Sequence, residues 1–109
     1  MTEDSVLAMR KGSTEAIVVE LYNPKTDLAI ALTGYTDLKA DAVDEDGTKV
    51  EIPLVTFQDA AAGHVKLSGW AEGAFTEGLW NLTIRAKNPA GEVVAYPKEG
   101  GLLQIEVFP

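Results

Sequence analysis

Along this chain, short runs in which every second residue is apolar are separated by clusters of Gly, Pro, Asn and Asp, at intervals of roughly eight to twelve residues, the spacing of an all-β sandwich. Helical periodicity is hard to find. Thr14 to Tyr22 is rich in β-branched residues, and alternation puts Ile17, Val19 and Leu21 on one face. The proline-containing loop Asn23 to Asp27 follows, and Leu28 to Leu32 reads as a second strand with Leu28, Ile30 and Leu32 inward. Thr36 to Val43 sets Leu38, Ala40 and Ala42 against Asp37, Lys39 and Asp41, the pattern of a strand wet on one face.

Asp44-Glu45-Asp46-Gly47 predicts a hairpin turn, because glycine accepts a positive φ without a steric clash. The returning run, Thr48 to Phe57, contains Pro53, which must lie on an edge or at a bulge. After the turn-rich link Gln58 to Gly63, the run His64 to Trp70 pairs Val65 with Leu67 on one face, and Ala71 to Gly78 is a loop. Leu79 to Lys87 is the clearest strand, with Trp80, Leu82 and Ile84 together. Asn88 to Gly91 turns the chain into Glu92 to Tyr96, and beyond Pro97 to Gly101 the last strand, Leu102 to Phe108, points Leu103, Ile105 and Val107 inward. Val6 to Arg10 is a short first strand or an N-terminal arm, ending at Gly12-Ser13. The sum is about seven or eight strands in two antiparallel sheets, an immunoglobulin-like β-sandwich. Trp80, Tyr35, Phe57 and Trp70 are the heavy core candidates.

The 109 residues suit one domain, 1–109, and the absence of cysteine removes disulfides, thiolate metal sites and a cysteine nucleophile. Nine basic against seventeen acidic residues give a net charge of −8, with Arg10-Lys11 the one pair of adjacent cations. Releasing phosphate counterions needs a basic surface, so a nucleic-acid partner is disfavoured. No window is long and apolar enough for a membrane span, and the acidic N-terminus is unlike a secretory signal, so we expect a soluble, leaderless protein made in the host cytoplasm.

Catalytic chemistry finds little to build on. His64 is the single imidazole, at the start of a strand and without a nucleophile motif, and reads as a surface residue. Paired carboxylates abound, but a small sandwich offers little concave surface to hold two of them across a sugar, so no enzymatic activity and no catalytic residue are expected. Asp41, Asp44, Glu45 and Asp46 form the best cation candidate, yet their spacing departs from a calcium loop and fits a solvated hairpin, so neither metal nor cofactor is expected. Asn81-Leu82-Thr83 matches the glycosylation triplet by chance within a strand, and the glycines form no phosphate-binding pattern.

The order of the signals is more specific than any one of them. Arg10-Lys11-Gly12, Ile30 to Tyr35, the Asp46-Gly47 hairpin, Ala62 to Leu67, Glu77-Gly78-Leu79-Trp80-Asn81-Leu82, Asn88-Pro89-Ala90-Gly91, Tyr96-Pro97 and Gly101 to Val107 follow one another in a series. From about Met9 to Phe108 this series resembles the immunoglobulin-like N-terminal domain of tailed-phage baseplate upper proteins and related small phage virion proteins. In that family a glycine-x-aromatic segment opens a central strand, and Gly78-Leu79-Trp80 occupies it with tryptophan where tyrosine is commoner. An indole donates in a different direction from a phenol, so the resemblance does not carry over a tyrosine-corner hydrogen bond.

The resemblance implies a non-enzymatic structural protein of a bacteriophage virion. Its partners would be the major capsid protein or tail and baseplate proteins, with self-association in the assembly, and with neither nucleic acid nor membrane. Because the chain ends directly after its last strand, it reads as a free-standing module, which favours a capsid decoration or cement protein over a tail, baseplate or fibre connector. An unrelated alternative is a carbohydrate-binding or adhesin-type sandwich with Trp70 and Phe75 as a sugar platform, although both suit burial under their loop. Loop position makes the acidic head (Glu3, Asp4), the turn at Asp44, Glu45 and Asp46, and the Trp70 to Gly78 loop with Phe75 the candidate contact residues.

Overall fold

A computed structural model describes residues 4–21, 26, 28–96 and 102–109. Glu3, most of the Asn23 to Asp27 loop and the Pro97 to Gly101 link lie outside the described residues. The strands run β1 (Asp4–Arg10), β2 (Ile17–Glu20), β3 (Thr36–Asp44), β4 (Lys49–Glu51), β5 (Leu54–Asp59), β6 (His64–Ser68), β7 (Gly78–Lys87), β8 (Val93–Tyr96) and β9 (Leu102–Phe108). One 3-10 turn, Ala60–Ala62, joins β5 to β6.

The chain is an all-β sandwich. One sheet has the order β1-β9-β7-β3-β4, with β8 also paired to β7, and the other has the order β2-β6-β5. The long strand β7 organises the first sheet: β3 lines one flank, while β9 pairs with Gly78 to Asn81 and β8 with Ile84 to Lys87 on the other. The three strands β2, β6 and β5 form the smaller layer of the sandwich. Two details depart from the sequence reading. The described residues hold nine strands, and the larger sheet is mixed, because β1 lies parallel to β9 over its full length. Parallel neighbours need a long crossover, and here almost the whole domain intervenes between them.

Pro53 decides where the chain changes sheets. The Ile52 N–H donates to the Ala40 carbonyl at 3.0 Å, the last such bond along β3. Pro53 has no N–H to continue the ladder, and the next residues pair with β6. The single strand read from Thr48 to Phe57 is therefore two, one on the edge of each sheet.

Leu28 to Leu32 is not a strand. Leu28 is 67% exposed, while Leu32 is 1% exposed. The backbone is tacked down instead by Ile30 N–H to the Leu21 carbonyl and Leu32 N–H to the Ala60 carbonyl, so the segment seals one end of the sandwich. Gly63 makes that seal possible. Its φ is 74°, and a Cβ there would lie 2.6 Å from the Leu21 oxygen and 2.7 Å from the Ile30 oxygen.

Between the sheets, Trp80, Leu82 and Ile84 of β7 meet Val65 and Leu67 of β6, flanked by Val19, Leu103, Ile105 and Val107. Alternation predicted each of these. Of the four heavy aromatics expected here, Trp80 and Trp70 are central, whereas Tyr35 and Phe57 are partly buried at the margin. Phe75 takes the missing central place. Its ring stands edge-on to Trp70 at 5.5 Å and to Trp80 at 5.2 Å, the T-shaped geometry aromatic quadrupoles favour.

Candidate docking surfaces

Strand register carries three connections to one end of the sandwich. Asp44, at the top of β3, lies opposite Trp80 near the start of β7, which brings the Asp44 to Gly47 turn beside the Ala71 to Glu77 loop. The turn after β1 joins them, since the Trp70 indole N–H donates to the Ser13 carbonyl at 2.9 Å and Lys11 Nζ lies 3.6 Å from Glu77 Oε1. Glu15, Asp44, Glu45, Asp46, Glu72 and Glu77 thus share an end with the cations Arg10 and Lys11, and Lys49 follows the Asp44 to Gly47 turn. Asp4 starts β1 opposite Leu102, at the far end of the sheet, so Asp4 does not join the other predicted contacts, and Glu3 lies outside the described residues.

Two of the predicted contact residues are core. Trp70 is 5% exposed and Phe75 2%, so neither is available as a face for a sugar or a partner. The reason is energetic: each ring hides far more apolar area inside the sandwich than an exposed loop position would allow. The loop's accessible residues are Ala71, Glu72, Gly73, Thr76 and Glu77. Glu45 and Asp46 are exposed as expected. Asp44 is half-buried, and its Oδ1 accepts the backbone N–H groups of Asp46 at 3.0 Å and Thr48 at 2.8 Å, so this oxygen is committed to shaping the turn. Among the described residues no three His, Asp or Glu side chains are grouped to hold a metal ion.

His64 lies on β6 directly across from Glu20 of β2, with its Nε2 3.0 Å from Glu20 Oε2. Asn81, of the glycosylation triplet, accepts a hydrogen bond from Gln104 Nε2 across to β9 at 3.0 Å.

A further surface was not legible in the sequence. Asp41, read as a solvent-facing residue of β3, is only 8% exposed, because Arg85 Nη1 of β7 closes on its Oδ2 at 2.6 Å and Lys49 Nζ of β4 approaches the same oxygen at 3.8 Å. These charges border an open groove of about 510 Å³ between β3 and β4 on one side and β5 on the other, floored by Ile52 and Pro53. Alternating charge along β3 was the available signal, but the partners depend on register to strands far away in the chain.

No protein-family model matches the chain, and no match was found among curated proteins.

Proposed function

We propose that this protein is a non-enzymatic structural component of a phage virion, a decoration or cement protein that docks in many copies on the outer shell of the capsid. The observation that carries this reading is the convergence of three connections on one end of the sandwich, where six carboxylates outnumber the neighbouring cations Arg10, Lys11 and Lys49. Such an end attracts a basic surface and speeds encounter, and loops already fixed by the Trp70 and Asp44 hydrogen bonds lose little freedom on docking. The all-β sandwich, with its turns in the order of the phage virion domains the sequence resembles, supports the same reading.

Cosedimentation of the purified protein with shells lacking it, with isolated tails and with glycan-coated beads tests the proposal. Saturable binding to shells that is lost when Glu45, Asp46 and Glu72 are all changed to Lys supports it. Binding to tails alone would make the protein a tail or baseplate connector, and binding to glycans alone would make it an adhesin-type module.

A further inference from the structure

The groove beside β5 has a chemistry unlike the rest of the molecule. Lys39, Lys49 and Arg85 stand along it against Asp41 and Glu51, a locally cationic balance on a chain of net charge −8. Arg85 spends one Nη on Asp41 and is otherwise half-exposed, so much of its donor fork faces solvent. Lys39 is exposed, with no ion-pair partner among the described residues.

The backbone around the groove is equally open. β5 pairs with β6 on one flank and is the end strand of its sheet, so its other flank, along Leu54 to Asp59, pairs with no strand among the described residues. Across the groove β4 pairs with β3 only over Asp41 to Val43, leaving β3 from Thr36 to Lys39 without a strand neighbour on that side among the described residues. Between these edges lie Leu54, which is 57% exposed, and half-buried Val55, while Ile52 beside them is already buried in the core. An unpaired strand edge offers a row of N–H and C=O groups to an incoming strand, whose alternate side chains then fall into the neighbouring groove.

We propose that this groove receives an extended, carboxylate-bearing segment of a partner protein, added as a strand to the outer edge of β5. Its backbone pairs with β5, its apolar side chains cover exposed Leu54 and half-buried Val55, and its carboxylates meet Lys39, Lys49 and the free donors of Arg85. The site goes beyond the shell-docking reading and does not depend on it, since it lies on the flank of the sandwich and selects the opposite charge.

A fluorescently labelled peptide of alternating glutamate and valine, about eight residues long to match a typical strand, is the probe. Fluorescence anisotropy at low salt should show saturable binding, weakened about tenfold or more by the double substitution Lys39→Glu with Lys49→Glu, as expected for two lost charge contacts. A probe N-methylated on alternate amides should bind the unaltered protein at least about tenfold more weakly, because it cannot complete the ladder. Amide shifts in the nuclear magnetic resonance spectrum should concentrate on β5. No binding by the acidic probe, equal binding by a lysine–valine counterpart, or undiminished binding of the N-methylated probe would each overturn the proposal, leaving the lysines as charges that merely keep other strands off an exposed edge.

Discussion

The indole N–H of Trp80 donates to the carbonyl of Thr76 at 3.0 Å, tying the first turns of β7 to the loop that precedes it. The bond runs back four residues, the same service a tyrosine corner performs for an immunoglobulin strand, with an indole in place of a phenol. Packing and hydrogen bonding at this site are separable. Trp80→Phe keeps an aromatic ring against Phe75 but loses the donor, and should cost about 1–2 kcal/mol. Trp80→Ala removes the ring from the centre of the core and should cost about 3–5 kcal/mol. Urea unfolding of both variants checks this, and a Phe variant as stable as the parent would show that the indole bond contributes nothing.

Among the described glycines, Gly63 should be the least replaceable. Its φ of 74° strains any L side chain, and the Leu21 and Ile30 carbonyl oxygens leave no room for a methyl group. Gly91 has a similar φ of 88° but nothing within 4 Å of its would-be Cβ. Gly91→Ala should therefore cost only the conformational term, about 1–2 kcal/mol, whereas Gly63→Ala adds a clash with two backbone groups and should cost more than about 3 kcal/mol. Thermal unfolding of the pair, compared under one buffer, distinguishes them.

The contrast between these positions shows what the sequence could disclose. Trp80, Leu82 and Ile84 announce their face because a strand repeats every two residues, and the core they form needs no further information. Gly63 carries no local mark that separates it from Gly91: its constraint comes from Leu21 and Ile30, brought over it by tertiary packing. Leu28 to Leu32 has the same alternation as a true strand, yet its backbone bonds go to Leu21 and Ala60 and no ladder forms. Among the candidate contacts, the exposed turn at Glu45 and Asp46 was legible from its Asp-Gly signal. Trp70 and Phe75 stand both as candidate contacts and as residues suited to burial, because a glycine-rich loop does not reveal whether its aromatics point outward or fold beneath it, and the structure buries both. The groove beside β5 was invisible, since Lys39, Lys49 and Arg85 come from three strands of different register.

Asp41 joins two cations at unequal distance, and the energies should follow. Arg85 lies at 2.6 Å with a hydrogen bond, while Lys49 lies at 3.8 Å and is half-exposed. A double-mutant cycle with Asp41→Asn and Arg85→Gln should give a coupling of about 1–2 kcal/mol, reduced from that of a buried pair because water reaches the guanidinium. The cycle with Lys49→Gln should give about 0.5 kcal/mol or less, and most of that should vanish at high salt. Equal couplings would mean that Asp41 is held by general cationic potential and not by the Arg85 hydrogen bond.

Alkaline pH should expose a dependence on Tyr96. Burial in the first place, and then a hydrogen bond and charge repulsion involving Tyr35, push its phenol above the ordinary tyrosine value. In the unfolded chain the same phenol ionises near its usual value of about 10, so above that pH the unfolded state has lost a proton that the folded state keeps. The unfolded state then binds fewer protons, and stability falls as pH rises, by up to about 1.4 kcal/mol per pH unit from this group, while below about pH 10 the group contributes no slope. Tyr96→Phe removes the ionisation of this group from both states and should flatten the fall between about pH 10 and 11.5. Urea midpoints of the parent and the Phe variant across that window provide the measurement. Parallel curves would show that Tyr96 ionises in the folded protein as it does in the unfolded chain.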